Sequence, residues 1–397
     1  MTEEQKISVL LKDISVPLSR VTVDRAVQNG RRDERRRRAA ATGAVVVVIA
    51  VLTVGAKVLL PAGQPGNVAA SASPSVSPSP SPTKPKPMWT AESLPVPGGA
   101  KYAEATAIDP TGRYIAGGAM GTALLWDNGS LKELPPVADG FDQLTVTGVN
   151  ASGMVIGIAE NPRPDVEDSK GWVYHNGVMT VLAKPKADVR YQVIAINARG
   201  DILGWGQHSG VLLWNVADPG TVRQVPGLDS ASGLGDDGTI GGNVGDGDHP
   251  GIIDPAGNSH RVAELPGRPG GKIFAINGDW AAGWVPGDTS SNLVAARWNL
   301  RTGELRSYPE LAEAVNVVSG TGALVSARAV FGPPVFVAPD GQIIDLPPLS
   351  AAGAEQLASH GPGGIQLRVN AISADARILV GSQTRPGGGT VPVVWHR

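Results

Sequence analysis

Beyond residue 88 the apolar residues come in short runs, split by Gly, Asn, Asp and Pro, and one order of runs keeps returning. Short runs bounded by turn residues predict β-strands rather than helices. The most regular line is a small residue, an aliphatic, Asn/Asp/Ser, two turn residues and Gly, then a second aliphatic run ending in Gly. Ala107-Ile108-Asp109-Pro110-Thr111-Gly112 leads into Tyr114-Ile115-Ala116-Gly117. Gly148-Val149-Asn150-Ala151-Ser152-Gly153 leads into Val155-Ile156-Gly157, and Ala195-Ile196-Asn197-Ala198-Arg199-Gly200 into Ile202-Leu203-Gly204. Looser copies begin at Gly233, Ala275, Val317 and Ala371. Each copy predicts a hairpin, because Asn, Asp and Gly tolerate the positive φ of tight turns. The Gly closing the second run predicts a bulge or a close backbone approach.

A third run follows, usually with an aromatic: Leu124-Leu125-Trp126, Trp172-Val173-Tyr174, Leu212-Leu213-Trp214, Ala296-Arg297-Trp298 and Val393-Val394-Trp395. After a turn such as Asp127-Asn128-Gly129, a fourth run closes on Leu-Pro, as in Leu131-Lys132-Glu133-Leu134-Pro135. The copies start at 107, 148, 195, 233, 275, 317 and 371, so a four-stranded unit recurs every 38 to 54 residues. That is the size of a β-propeller blade. The last copy stops at Arg397 without a fourth run, whereas Trp89-Thr90-Ala91-Glu92-Ser93-Leu94-Pro95 carries that signature ahead of the first copy. An all-β, seven-bladed propeller closed by its N-terminal strand is therefore predicted over residues 88–397. Closure of this kind removes an edge that would otherwise invite aggregation. An open stack of β-units is the competing architecture.

Over residues 89–397 the repeat line resembles the HAF-type extracellular repeats of bacterial proteins, and more loosely WD40-like propellers. Only Trp126-Asp127 supplies a Trp-Asp pair, and the fourth and fifth copies depart most, at Gly235 and at Asn277-Gly278. The resemblance implies an extracytoplasmic propeller and carries no catalytic residues with it.

The N-terminal part has a different texture. Residues 25–38 hold seven arginines, and residues 39–60 form an apolar stretch interrupted only by Lys57. About 20 apolar residues span a bilayer, so 39–60 is predicted to be a transmembrane helix. The basic tail, residues 1–38, stays cytoplasmic by the positive-inside rule. A cleaved signal peptide competes, since Ala70-Ser71-Ala72 resembles a cleavage site, but so long an n-region argues against it. Within residues 1–30, Ile7, Leu10, Leu11 and Ile14 fall at helical spacing, which fits an interfacial segment or a dock for a cytoplasmic partner. Residues 61–87 are Pro- and Ser-rich and predict an extended extracytoplasmic stalk.

Composition narrows the function. The chain has 52 Gly and 33 Pro, no Cys, 42% hydrophobic residues and a net charge of -2. Disulfides and thiolate chemistry are excluded, and a basic nucleic-acid binder is not indicated. Gly233-x-Gly235-x-x-Gly238 matches a dinucleotide fingerprint but lies in a repeat turn rather than between strand and helix, so no cofactor is expected. Asp246, Asp248 and His249 share a Gly-rich loop that suits either a divalent cation or a solvated turn. The loops joining second to third strands emerge on one propeller face with the inter-blade connections. That face gathers Arg163, Asp165, Glu167, Asp168, His208, Asp288 and Arg385 as ligand-binding candidates. Trp126, Trp214, Trp298 and Trp395 share a register and are expected between blades. Trp205, Trp280 and Trp284 lie off it, as core or as platforms for sugar rings.

The expected protein is anchored in a bacterial plasma membrane, with an extracytoplasmic propeller that binds a protein or a cell-wall glycan without catalysis. The alternatives are a cell-wall polysaccharide lyase or hydrolase, which needs convergent carboxylates or His, and a transmembrane sensor acting through its cytoplasmic tail.

Overall fold

The computed structural model describes residues 89–397 except 138–140, 162–168, 187, 189, 246–247, 290–292, 312–314, 329–331, 351–365 and 386–387. The expected tail, membrane span and stalk lie outside the described residues. Among the described residues no helix is long and apolar enough to cross a membrane.

The described chain forms seven four-stranded antiparallel sheets. After β1 (Thr90–Ser93), the first sheet holds β2 (Ala103–Ile108), β3 (Tyr114–Ala119), β4 (Thr122–Asp127) and β5 (Ser130–Glu133). The second holds β6 (Gln143–Val149), β7 (Val155–Glu160), β8 (Ser169–His175) and β9 (Val178–Val181). The third holds β10 (Tyr191–Ile196), β11 (Asp201–Gly206), β12 (Gly210–Asn215) and β13 (Asp218–Val225). The fourth holds β14 (Ser230–Leu234), β15 (Ile240–Asn243), β16 (Pro250–Ile253) and β17 (Ser259–Arg261). The fifth holds β18 (Lys272–Asn277), β19 (Trp280–Pro286), β20 (Leu293–Asn299) and β21 (Leu305–Tyr308). The sixth holds β22 (Val317–Val318), β23 (Leu324–Ala327), β24 (Pro334–Val337) and β25 (Ile343–Asp345). The seventh holds β26 (Leu367–Ile372), β27 (Ile378–Thr384) and β28 (Thr390–His396). Its fourth member is β1, antiparallel to β28 with Thr90 opposite His396.

First strands pack beside one another around the ring: β2 meets β6, β6 meets β10, and so on until β26 meets β2. Seven apolar clusters fill the seven interfaces between neighbouring sheets. This is a β-propeller whose core lies between its blades.

The repeat line now has a physical meaning. Asp109, Asn150, Asn197, Ser319 and Ser373, which open five of these turns, act as caps. Asp109 accepts the N–H of Thr111 at 2.8 Å and that of Tyr114 at 2.6 Å. Asn197 accepts from Arg199 at 3.1 Å and Asp201 at 2.9 Å, and Ser319 from Ala323 at 2.9 Å. Asparagine adds a donor, which ties one blade to the next: Asn150 Nδ2 donates to the Asn197 carbonyl at 3.0 Å. The positive φ expected of Asn, Asp and Gly in these turns falls on the glycine and not on the Asn or Asp. In them Gly112, Gly153 and Gly200 are left-handed. The left-handed Asn-Gly pairs occur between third and fourth strands, at Asn128-Gly129 and Asn176-Gly177.

The shared-register tryptophans Trp126, Trp214, Trp298 and Trp395 are all buried. Each donates its indole N–H to a carbonyl in the connection entering its blade, at Pro95, Ala183, Ala263 and Pro347, over 2.7 to 2.8 Å. At Leu94-Pro95 and Leu346-Pro347 the Leu-Pro ending of a fourth run thus presents the acceptor to the next blade's tryptophan.

Candidate functional site

The connections between second and third strands share one face with the inter-blade connections. Of the sequence-derived candidates on that face, Arg163, Asp165, Glu167, Asp168 and Asp246 lie outside the described residues. Of the others, His208, Asp288 and His249 make local side-chain pairs, and Arg385 and Asp248 make backbone bonds. His208, between β11 and β12, donates its backbone N–H to Asp188 Oδ1 at 2.8 Å, and its Nδ1 lies 3.2 Å from the same oxygen. Asp288 pairs with Arg268 at 2.7 Å. Arg385 accepts the N–H of Gly388 at 3.0 Å through its carbonyl, closing the turn between β27 and β28. Asp248 accepts the Gly271 N–H at 2.6 Å through its carbonyl. His249 Nδ1 lies 2.6 Å from Glu264 Oε1, which also accepts the Gly270 N–H at 3.2 Å. Among the described residues no group of three His, Asp or Glu side chains is placed to hold a metal.

Two acids that sequence reasoning did not single out therefore organise this face. Glu264 sits in a fourth-run signature, where it reads as an ordinary exterior residue. Asp188 lies in an inter-blade connection with no motif around it. Burial of the Asp188 carboxyl works to raise its pKa, but hydrogen bonds from Ser209 and His208 outweigh that and hold it below the usual Asp range. A depressed pKa makes the interaction stabilising above the unfolded-state pKa and lost as pH falls through the folded value. Asp188→Asn is expected to lower stability by about 1–3 kcal/mol at neutral pH, the cost of weakening the bonds that a buried carboxylate accepts. The gap from the wild type should narrow below about pH 4, where the unfolded-state Asp also takes a proton. Urea melts at the two pH values check this.

At the axis, Glu104, Thr145, Gln192 and Arg368 are exposed at one register on the innermost strands of four sheets, with Ser230 and Lys272 half-buried in two more. Burial lowers the Lys272 ammonium below its usual pKa, against the pull of Asp248. Across the strand pair from these six stand Gly118, Ile158, Trp205, Ser382, Asn243 and Trp284 respectively in the first, second, third, seventh, fourth and fifth sheets. Trp205 and Trp284 are thus register partners, and both are half-buried. Trp280 also is half-buried, with the Arg297 guanidinium 4.7 Å from its ring centre.

Gly118 leaves a space. A groove of about 290 Å³ opens there between the first and second blades, lined by Tyr102, Glu104, Gly118, Met120, Leu144 and Thr145 among others. Tyr102 is 49% exposed and Met120 65%. Aligning the second strands by register would have exposed this gap in the sequence. A single repeat does not, because a Gly among small residues looks unremarkable.

No protein-family model matches the chain, and neither does any curated protein. Solved structures do match in shape. Virginiamycin B lyase from Staphylococcus aureus aligns with a TM-score of 0.51 at 13% identity, covering 78% of this chain and 99% of that one. A streptogramin B lyase aligns at 0.50 with 14% identity, covering 78% and 97%. The shared feature is the seven-bladed fold. At such identities the likeness concerns architecture alone, since one propeller scaffold hosts unrelated functions.

Proposed function

We propose that the chain is a membrane-anchored recognition protein whose propeller binds an extracytoplasmic ligand at the loop-bearing mouth of its axis. The groove at Gly118 carries this reading. It is a half-open groove with Tyr102 and Met120 on its rim and polar side chains at its axial end. Around it the mouth offers Glu104, Gln192, Lys272 and Arg368 as hydrogen-bonding groups of both signs. Residues 39–60 are the proposed anchor, with residues 1–38 cytoplasmic and 1–30 available to a cytoplasmic partner. The ligand class is a protein or a cell-wall glycan. Full-length protein in nanodiscs, incubated with separated cell-wall polysaccharide and envelope-protein fractions, should retain material from one of them. Lys272→Met with Arg368→Met should weaken that capture about tenfold, as for central interface residues. Undiminished capture by the double variant removes the mouth from the proposal.

A second reading is a cell-wall polysaccharide lyase or hydrolase. The observation favouring it is the His249–Glu264 pair, 2.6 Å apart with side chains 23% and 21% exposed. A carboxylate on Nδ1 orients an imidazole so that Nε2 can move a proton. Release of reducing ends or unsaturated sugars from purified cell wall, lost in His249→Gln, would establish this reading.

A further inference from the structure

We infer that the groove at Gly118 is a receptor for an aromatic side chain of the indole type, presented by a protein partner. The inference rests on the recognition reading above and narrows its ligand to protein.

The molecule itself shows what fits such a slot. Gly118, Trp205 and Trp284 occupy one register position in the first, third and fifth sheets. In the third sheet the indole reaches the next blade, where Trp205 Nε1 donates to the Asp229 carbonyl at 3.3 Å. Asp229 directly precedes Ser230, as Leu144 directly precedes Thr145. Leu144 is therefore the register counterpart of Asp229, and its carbonyl lies 3.9 Å from where a Cβ on Gly118 would stand. The first blade keeps the carbonyl wall but lacks the side chain that covers it two blades on.

The rim supports the same occupant. Met120 and Gly121 form the turn between β3 and β4 with φ of 50 and 87. Elsewhere a left-handed pair of this kind is Asn128-Gly129 or Asn176-Gly177, where Asn tolerates the conformation. A methionine there costs about 1 kcal/mol in backbone strain, yet its side chain is 65% exposed and returns no burial. Thioethers pack favourably on aromatic rings and adapt to their shape. Tyr102, 49% exposed on the same groove, offers a second wall suited to an edge or face contact with an arriving ring.

The test uses full-length protein in nanodiscs and the tripeptide acetyl-Gly-Trp-Gly-amide carrying 5-fluorotryptophan, followed by fluorine NMR line broadening. Comparators are acetyl-Gly-Leu-Gly-amide and an N-acetylglucosamine tetramer, observed by saturation transfer. The tryptophan peptide should bind and the leucine peptide should not. Gly118→Trp, which installs the side chain of the third and fifth blades, should weaken binding about tenfold or more, the scale of a lost hot spot. Gly118→Ile, the residue of the second blade at this register, serves if the tryptophan variant melts early. Met120→Asn should reduce binding while leaving the melting temperature equal or higher. Equal binding by wild type and both Gly118 variants overturns the inference, as does no binding of the tryptophan peptide. Binding of the sugar tetramer alone, blocked by Gly118→Trp, also overturns it while leaving the recognition reading intact. Failure of that reading is distinct, since it appears as capture insensitive to Lys272 and Arg368.

Discussion

Gly283→Ala is expected to destabilise the propeller by more than about 3 kcal/mol, or to prevent its accumulation as folded protein, beyond the usual range for a single added methyl. The pairing of β18 with β19 slips by one residue between Ile273 and Ala275, the mark of a bulge. The bulge pushes the Lys272 backbone towards Gly283. A Cβ on Gly283 would overlap the Lys272 carbonyl oxygen, with its carbonyl carbon at 2.8 Å and Ile273 Cα at 3.1 Å. Backbone atoms inside a four-stranded sheet cannot rotate aside, so the bulge or the strand pairing must give way. The same clash awaits at Gly117, Gly157, Gly204, Gly242 and Gly381. In the sixth sheet Ser326 stands at this register, and the β22–β23 pairing ends at Val317 opposite Val325, one residue short of it. The glycine thus accompanies the bulge in all six sheets that have one. Gly118→Ala is the control, because its Cβ would stand 3.4 Å from the nearest atom, and it should stay within about 0.5 kcal/mol of wild type. Denaturant melts that place the two variants together would refute this account.

The link between glycine and bulge was legible in the sequence, because a Gly closing an aliphatic run has few other physical uses. The blade count was legible for a similar reason, since the hairpin line recurs often enough to survive its weak copies at Gly233 and Ala275. Turn chemistry was legible only in part. Asn150 and Asn197 were recognised as turn residues, but their caps and the Asn150 link to the next blade depend on where the neighbouring blade sits. The site was far less legible. His249 stood out because it shares a Gly-rich loop with Asp246 and Asp248, whereas its partner Glu264 lies beyond β16 and β17, and no local spacing connects them. Asp188 and His208 are likewise joined only by folding. The groove at Gly118 is a missing side chain, and an absence is visible only after the strands are set in register.

Trp395→Ala is the second large effect, expected at about 3–5 kcal/mol, the range for emptying a buried large aromatic site. Trp395 has no solvent exposure and shares a cluster with Trp89, Phe336 and Leu379. Its strand β28 lies between β27 and β1, with Trp395 opposite Leu379 on one side and Ala91 on the other. The cavity would therefore open where the first and last strands of the ring meet. It would also leave the Pro347 carbonyl without its 2.7 Å donor. Trp395→Phe keeps most of the ring volume and removes the donor, so it should cost about 1–3 kcal/mol, the penalty of an unsatisfied buried acceptor. Trp205→Ala provides the contrast. That indole is half-buried and its bond to Asp229 is longer, 3.3 Å, so a loss of about 1 kcal/mol is expected. Thermal melts of the three variants should rank Trp395→Ala lowest and Trp205→Ala closest to wild type. Should Trp395→Ala melt with Trp205→Ala, the shared-register tryptophans would not be what locks one blade to the next.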